Sequence, residues 1–538
     1  MNFARLLPYL AGGKTEAFGP LARYLPPAPE GTARAFFTGR FPPGSWILDP
    51  FGSAPRFAVE LARAGARVLV TAGNPIHRSL LDLTAHPPSR SDLQAALADL
   101  AAARKEDERL ETHLQALYLT RCAGCERELP AEAFFWDSRS GALTGKLYNC
   151  TCGSGGEQPA TPEDVERAAA WSRADALHRS RALGRIAPSD DPDRPAAQEA
   201  MEMYSPRAVY ALGTLVNRLD SIQTSGERRR CMQALLLWAF DAANALWPHP
   251  SDRPRPRQLT LPGIFRENNV WKALEAGVDG WGQDANPPVA YTLWPEEPPE
   301  SGGLCIYEGP LREMSETLRE IPFRAVVGAL PRPNQAFWTL SALWAGWLWG
   351  REAVGAFKGV LRRRRYDWNW HSEALKALFH HLAANLPTGI PFFGLLAEPE
   401  PGFVSAALHA ARSAGWALTG LALRGEQDPI QLHWTKAQTP HPARRRLNTN
   451  DARQILREIL ETHGEPLPYL HLHTLALSAF TARGMSPAEN ETLSAYDTIL
   501  QTALQNPEFE DLERRATPQT GTWALKDWQR QRMFRQME

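Results

Sequence analysis

The stretch Ser45–Asn74 limits the possible folds of this chain more than any other part of its sequence. The apolar run Trp46–Leu48, followed by the turn residues Asp49–Ser53, predicts a buried strand that ends in a tight turn. Pro55 suits the first turn of a helix, and Arg67–Val70 predicts a second strand after that helix. This is the opening βαβ unit of a doubly wound sheet, whose ligands bind beyond the carboxyl ends of the strands. The sequence therefore predicts an α/β fold with a mainly parallel, Rossmann-like sheet.

The glycine of this turn would let the backbone approach a ligand closely, next to the free N–H groups of a helix N-terminus. A strand-turn-helix unit that only packs and binds nothing is the alternative. The stretch resembles the first cofactor-binding motif of class I S-adenosylmethionine-dependent DNA amino-methyltransferases, D-P-F-x-G-S-G, although it is one residue tighter and lacks the last glycine. The resemblance implies that S-adenosylmethionine contacts residues of the turn and a residue after the second strand, namely Asp49, Phe51, Gly52, Ser53 and Asn74.

Four of the six cysteines form two close pairs, Cys122 with Cys125 and Cys150 with Cys152, which 24 residues separate. Each pair offers two thiolates from one turn, as a structural, tetrahedral zinc site needs. A set of ordinary reduced cysteines is the alternative. The clustering favours an intracellular metal site over a secreted disulfide framework.

The chain shows no signal-peptide pattern at its start, and its longest apolar run, 336–350, is shorter than the ~20 residues of a bilayer-spanning helix. We therefore expect a soluble, cytoplasmic protein without a membrane partner. The formal net charge is −1, so any nucleic-acid surface has to be a local patch.

The remaining patterns predict five segments. Short apolar strands alternate with helices after residue 301 and end in an antiparallel hairpin at 416–434. Pro206-Arg207, the stretch 265–271 and the block 306–349 are similar, over about residues 30–435, to the adenine-specific DNA methylase group with a cysteine-rich insertion. The predicted division is a first part of a methyltransferase-like domain (1–115), a four-cysteine zinc insertion (116–155), a linker and helical region (156–300), a second part of the methyltransferase-like domain (301–437) and a helical C-terminal domain (438–538).

The strand predicted at Phe323–Gly328 ends where that family has the catalytic sequence (D/N)-P-P-(Y/F/W). In the family, the Asp or Asn oxygen and the first Pro carbonyl hold the target amino group, and the aromatic ring stacks on the extruded base. This chain has Ala329-Leu330-Pro331-Arg332 instead. The resemblance implies methylation of the exocyclic amino group of adenine or cytosine in DNA, with Asn334 and Arg332 positioning the base beside Pro331.

Two further interpretations of the same residues stay open. A proline-braced turn without catalysis would make the chain an inactive methyltransferase-fold protein that serves as a DNA-binding or regulatory subunit. An unrelated nucleotide-binding α/β enzyme would have no affinity for the methyl donor.

Basic residues suggest where a nucleic acid would bind. Arginines next to aromatic rings suit phosphate contact combined with base stacking, with a solvated helix end as the alternative. A second basic run at 444–446 opens an amphipathic helical region, which we expect to be a small helical domain, with a winged helix as one option, in contact with DNA or a partner protein. The first basic run consists of Arg362, Arg363, Arg364 and Arg365, and is followed by Tyr366, Trp368 and Trp370.

Overall fold

The fold is built around one large sheet. The computed structural model describes residues 5–13, 21, 24–282, 287–437, 445–487, 492–505, 512–516 and 521–526. Within these residues the central sheet has nine strands, numbered here in chain order: β1 Arg5–Leu6, β2 Trp46–Asp49, β3 Arg67–Thr71, β4 Tyr291–Leu293, β5 Gly303–Tyr307, β6 Phe323–Ala329, β7 Pro391–Leu396, β8 Trp416–Ala422 and β9 Ile430–Lys436.

The strands lie across the sheet in the order β1-β8-β9-β7-β6-β2-β3-β5-β4. Neighbours pair in parallel except at β9, which runs antiparallel to both β7 and β8. The predicted α/β class, the mainly parallel sheet and the terminal hairpin are confirmed. From β2 the chain moves through β3 to β5 on one side and later through β6 to β7 on the other. The order of strands therefore reverses between β2 and β6, which is where an open α/β sheet forms its ligand crevice.

Alternation of side chains along the strands divides the apolar core into two layers. Ile47, Val68 and Val327 face one layer, and their chain neighbours Leu48 and Leu69 face the other. Such strands are buried on both faces because helices cover both sides of the sheet. The covering helices are Thr32–Phe37 and Pro55–Arg63 on one face, and Ser315–Glu320, Trp368–Asn385 and Pro401–Ser413 on the other.

A helical insertion with its own core lies against the sheet domain. Three fully buried ion pairs stabilise it: Lys146–Asp164, Arg207–Glu267 and Arg255–Asp241. The predicted linker and helical region, 156–300, contains the 25-residue helix Pro162–Ile186 near its start. The insertion's other helices are Pro75–Ala85, Arg90–Ala102, Leu110–Ala116, Arg194–Met201, Pro206–Ser221, Gly226–Ala242 and Val270–Trp281, and the later helices Gln335–Trp349, Arg351–Val354 and the 3₁₀ segment Gly355–Arg362 join the same core.

The cysteine-rich segment forms a small antiparallel sheet in the insertion. Its strands lie in the order Gly156–Pro159, Leu143–Tyr148, Ala133–Asp137 and Ile264–Asn268. The last of these comes from the 265–271 stretch, so a strand from outside the cysteine segment completes its sheet. Shorter hairpins are Leu119–Arg121 with Glu128–Pro130, and Arg104–Lys105 with Glu108–Arg109.

The C-terminal region combines helices with a small sheet. Its helices are Thr449–His463, Tyr469–Ala482 and Ser494–Gln505, and its three-stranded sheet has the order Leu467–Pro468, Gly521–Leu525, Leu512–Ala516. Arg445–Arg446 pairs with Met485–Ser486, and Arg444 lies outside the described residues.

The apolar run 336–350 is the Gln335–Trp349 helix, which is buried on nearly all sides in the insertion's core. In the described parts of the chain, every helix is too short or too polar to cross a bilayer.

The close approach of β6 to the turn after β2 yields a stability prediction. A Cβ at Gly328 would lie 2.9 Å from Oδ1 of Asp49 and 2.9 Å from Cδ2 of Phe51, so Gly328→Ala forces these groups apart. We expect a loss of about 1–3 kcal/mol in the free energy of unfolding, measured by urea denaturation. Gly213→Ala is the control, because its helical Cβ meets nothing within 4 Å and should stabilise by up to about 1 kcal/mol. Equal effects of the two changes would contradict this account of the turn.

Candidate functional site at the carboxyl edge of the sheet

The turn after β2 is shaped by a buried carboxylate. Asp49 is 1% exposed, and its Oδ1 accepts hydrogen bonds from the N–H groups of Phe51 at 3.0 Å and Gly52 at 3.1 Å. The hydroxyl of Thr71 in β3 donates to the Pro50 carbonyl at 2.7 Å. Burial raises the pKa of Asp49 to about 6, against the opposing effect of the two N–H groups. The Oδ1 atom of Asp49 is thus hydrogen-bonded within the turn that Asp49 begins.

Gly52 is required by the neighbouring strand. Its φ is +55°, and a Cβ there would lie 2.9 Å from the Thr71 carbonyl oxygen and 3.0 Å from Cγ1 of Val70. The space that a side chain would need is thus filled by β3. The Ser53 hydroxyl donates to the Ala329 carbonyl at 2.6 Å, so the glycine turn and the end of β6 border the same crevice. The methyltransferase interpretation requires this proximity.

Asn74 and Asn334 begin the helices that follow β3 and β6. Oδ1 of Asn74 accepts from the Ile76 N–H at 2.9 Å, and Oδ1 of Asn334 accepts from the Phe337 N–H at 3.1 Å. Both asparagines are buried. Each side chain therefore binds an N–H group that a ligand at the helix N-terminus would otherwise receive.

Aromatic rings meet across the carboxyl end of β2. The ring centroids of Phe337 and His77 are 5.2 Å apart, and Tyr24 stacks on Phe337 at 5.1 Å. Phe337 and His77 belong to the first turns of the helices after β6 and β3, and β2 lies between these two strands. Their contact therefore spans the crevice. Burial lowers the pKa of His77 to about 4, so this ring is neutral at pH 7.

A segment of the insertion contacts the Tyr24 ring and the start of the helix that carries Phe337. The guanidinium of Arg255 binds Asp241 at 2.6 and 3.1 Å and donates to the Tyr24 hydroxyl at 2.6 Å. It also lies over the rings of Tyr24 and Trp247. The carbonyl of Arg257, two residues on, accepts from the Ala336 N–H at 2.9 Å. The segment 253–257 therefore anchors the insertion onto the start of the Gln335–Trp349 helix.

Arg332 is bound by carboxylates at the end of β6. One of its terminal nitrogens lies 2.6 Å from Glu400, and the other donates to the Glu398 carbonyl at 3.2 Å. The cavity beside Leu330 and Asn334, just after β6, measures about 20 Å³, which is room for about one water molecule. Arg332, Pro331 and Asn334 thus lie at the expected strand end, and Arg332 and Asn334 line this small cavity.

The four-arginine run is largely engaged by the protein itself. Arg362 pairs with Asp193 at 2.5 Å and Arg364 with Glu199 at 2.7 Å. Arg363 lies between the rings of Trp338 and Trp370. Arg365 is exposed and makes no ion pair with the described residues. The run therefore offers a phosphate fewer free cations than its sequence suggests.

The four clustered cysteines are arranged for a metal ion. Their sulfur atoms lie within 4.8 Å of one another, with Cys122 and Cys152 at 3.4 Å and Cys125 and Cys150 at 3.6 Å. Tetrahedral coordination with bonds of ~2.3 Å requires sulfurs about 3.8 Å apart, close to these distances. The Gly124 N–H donates to the Cys122 sulfur at 3.4 Å, as it would to a thiolate ligand. Together the four residues can bind a metal such as zinc.

Sequence patterns missed the residues that close the crevice, Tyr24, His77 and Arg255. A signal for the last existed in 253–257, where arginines alternate with prolines, a composition that favours a stiff, extended segment. No family model, no curated protein and no solved structure matches this chain. The geometry of the site is therefore the basis for inferring its function.

The raised pKa of Asp49 predicts a pH effect on stability. An unfolded Asp ionises near pH 3.9, whereas folded Asp49 keeps its proton up to about pH 6. The contribution of this group to stability is therefore present below about pH 4 and falls as pH rises to about 6, by at most ~1.4 kcal/mol per pH unit. Asp49→Asn keeps an oxygen acceptor for the two N–H groups without a charge.

We expect Asp49→Asn to match the wild type near pH 4 and to exceed it by about 3 kcal/mol in unfolding free energy near pH 8. Chemical denaturation at a series of pH values measures both. Exposed Asp252→Asn is the control and should leave the pH profile unchanged. If the unfolding free energies of Asp49→Asn and the wild type change with pH in the same way, the pKa of Asp49 is not raised in the folded protein.

Proposed function

We propose that this chain has a class I methyltransferase architecture, has lost amino-methyl transfer, and serves as a DNA-binding subunit. The observation that carries the proposal is the contact between Phe337 and His77 across the carboxyl end of β2. The protein's own rings lie where a class I enzyme would bind its methyl donor. The proposal adopts the second of the interpretations that the sequence left open.

The sheet supports the architectural part of the proposal. Without the two short edge strands β1 and β4, its order is β5-β3-β2-β6-β7-β9-β8, and the last strand, β9, is inserted antiparallel between β7 and β8. This order supports a class I methyltransferase architecture, in which β2 would be the strand that precedes the glycine-containing cofactor turn, here Asp49–Ser53.

The residues present do not fit S-adenosylmethionine. The oxygens of Asp49, Asn74 and Asn334 already accept hydrogen bonds from the backbone of their own turns. A cofactor would have to displace the stacked rings and compete with three sets of intramolecular hydrogen bonds.

The end of β6 is also unsuited to holding a target amino group. Ala329 has no side-chain acceptor, and Leu330, at the position of the first family proline, is 1% exposed. Arg332 is bound by Glu398 and Glu400. The carbonyl of Ala329 accepts from Ser53. Little remains to orient an exocyclic nitrogen for transfer.

The C-terminal region supports the DNA-binding part. Apart from the two-residue strands Arg445–Arg446 and Met485–Ser486, its order of elements is helix, strand, two helices and two strands, with the first strand paired to the last, which is the order of a winged helix. In helix-turn-helix proteins the later helix enters the major groove. Here that helix is Ser494–Gln505, whose exposed face carries the uncharged donors and acceptors Thr498, Gln501 and Thr502.

We also propose that the metal of the cysteine cluster is zinc. All four ligands are thiolates in a small segment whose sheet is completed by a strand from elsewhere, which fits a structural role. Thiolate coordination would fix the hairpin Leu119–Arg121 with Glu128–Pro130 against the strand Leu143–Tyr148. A filled coordination shell leaves no open position for catalysis.

Zinc content tests this assignment. We expect about one zinc per chain in the wild type and a clear loss in Cys125→Ser, with a lower melting temperature for the variant and for chelator-treated protein. Cys125 is exposed, so the exchange leaves no cavity. The control is Cys231→Ala, outside the cluster, which should keep its zinc. Retention of full zinc content by Cys125→Ser would refute the four-cysteine site.

Methyl-donor and DNA binding test the main proposal on the full chain. Calorimetric titration with S-adenosylmethionine should give no binding heat, and tritium from labelled donor should not reach mixed-sequence DNA. An active methyltransferase measured alongside shows that both assays work. Fluorescence polarisation should show DNA binding that weakens with rising salt, since phosphate contacts release counterions.

Two results would overturn the proposal. Methyl transfer that is lost in Asn334→Ala would restore the enzymatic interpretation, with Asn334 as the amide that holds the base. A lack of DNA binding at low salt would remove the DNA-binding part.

A further inference from the structure

A second cavity, of about 680 Å³, lies inside the insertion. Its walls come from the helix Gly226–Ala242, the segment 247–255, the strand Ile264–Asn268 and the helix Val270–Trp281. Its volume falls within the range of small-molecule sites, unlike that of the crevice beside Leu330. The strand that contributes to its wall also completes the sheet of the cysteine segment.

Two indole rings form fixed, half-buried parts of the cavity wall. Trp238 packs on the helix Val270–Trp281 where Gly277 and Gly280 leave space, since a Cβ at Gly280 would lie 1.8 Å from the indole. The indole N–H of Trp247 donates to the backbone carbonyl of Asp241 at 2.9 Å. The guanidinium of Arg255 lies 4.0 Å from the Trp247 ring centre. Rings held in this way lose little entropy when a flat ligand packs against them.

The charges of the cavity leave two cations without an ion pair in the described chain. Lys272 pairs with Glu275, and Asp279 pairs with Arg90, each at 2.7 Å. Arg255 pairs with Asp241. Arg253 and Arg266 line the cavity and make no such pair among the described residues.

Arg266 is the more informative of the two arginines. Its Nε is buried, and no acceptor among the described residues binds it. Glu132, an acidic residue of the wall whose charge interacts with Arg266, accepts a hydrogen bond from the Asn149 amide at 2.5 Å. An unsatisfied, buried donor of a charged group costs free energy unless a ligand supplies the acceptor. The unsatisfied Nε of Arg266 therefore favours the binding of an anion in the cavity.

We infer that this cavity binds an aromatic base that carries a phosphate, that is, one nucleotide. Trp238 and Trp247 would contact the base, and Arg266 and Arg253 would bind the phosphate. The inference deepens the proposed function and rests on it where the nucleotide belongs to a DNA strand. The same chemistry would accept a free nucleotide, so the experiment distinguishes the two sources.

The test uses the full chain, deoxyadenosine 5′-monophosphate and saturation-transfer NMR. We expect transfer to the base protons, a dissociation constant raised about tenfold in Arg266→Gln, and a smaller, two- to fivefold rise in exposed Arg253→Gln. Arg253→Gln changes a surface residue, so its effect does not depend on whether Arg266→Gln folds fully. The control is Arg324→Gln, an exposed arginine of β6, which should bind like the wild type.

A fluorescent single strand of about 12 nucleotides identifies the source, since its length fits typical single-strand sites. Tighter binding of the strand than of the mononucleotide, weakened in Arg266→Gln and Arg253→Gln, assigns the cavity to DNA. Equal or tighter binding of the mononucleotide assigns it to a free nucleotide. Both results support the inference.

The inference is overturned if neither probe binds at millimolar concentration, or if both arginine variants bind like Arg324→Gln. A strand that binds the wild type and both arginine variants equally would overturn the cavity assignment and leave DNA binding by the chain intact. The inference and the proposed function can therefore fail separately.

Discussion

The ion pair between Arg255 and Asp241 is the interaction on which both cavities depend. The two side chains are 1% and 0% exposed, so their charges are almost fully removed from water. Such a pair is costly to bury unless other groups interact with it, and here Arg255 also donates to the Tyr24 hydroxyl and lies over the Trp247 ring. On one side the pair fixes Tyr24 against Phe337 at the sheet edge, and on the other it fixes Trp247 in the wall of the large cavity. The ring contact at the sheet edge and the wall of the large cavity thus share one structural support.

Two more buried ion pairs lie in the insertion, and one of them explains sequence patterns that the family resemblance had singled out. Arg207, of the Pro206-Arg207 pattern, pairs with Glu267 of the 265–271 stretch, and the Trp136 N–H also donates to Glu267. Lys146 of the cysteine-rich sheet pairs with Asp164, which is also part of the capping box of the Pro162–Ile186 helix. These charged residues join the cysteine segment to the helices around it. Their conspicuous sequence positions therefore reflect the assembly of the insertion.

Local patterns predicted the parts of the molecule that local physics determines. Apolar runs with a glycine turn between Leu48 and Arg67 predicted β2, its helix and β3, and the spacing of the cysteines predicted their cluster. The capping roles of Asn74 and Asn334 were also readable locally, since asparagine before a helix start is a common N-cap. The contacts of Tyr24 were not, because its partner Arg255 is 231 residues away and nothing near either residue marks the pairing. Whether a crevice is open or closed depends on such long-range contacts.

The carboxyl edge of the sheet and the cavity in the insertion differ in whether their polar side chains have hydrogen-bond or ion-pair partners within the described residues. At the edge, Asp49, Asn74, Asn334 and Arg332 each have intramolecular partners, so their interactions already contribute to the stability of the folded chain. A ligand there would have to replace those interactions before it gained any of its own. In the insertion, the buried Nε of Arg266 has gained no partner on folding among the described residues, and a ligand acceptor would remove that cost. A ligand would therefore gain more free energy of binding in the insertion than at the carboxyl edge. This difference supports a ligand site away from the position that the fold alone would indicate.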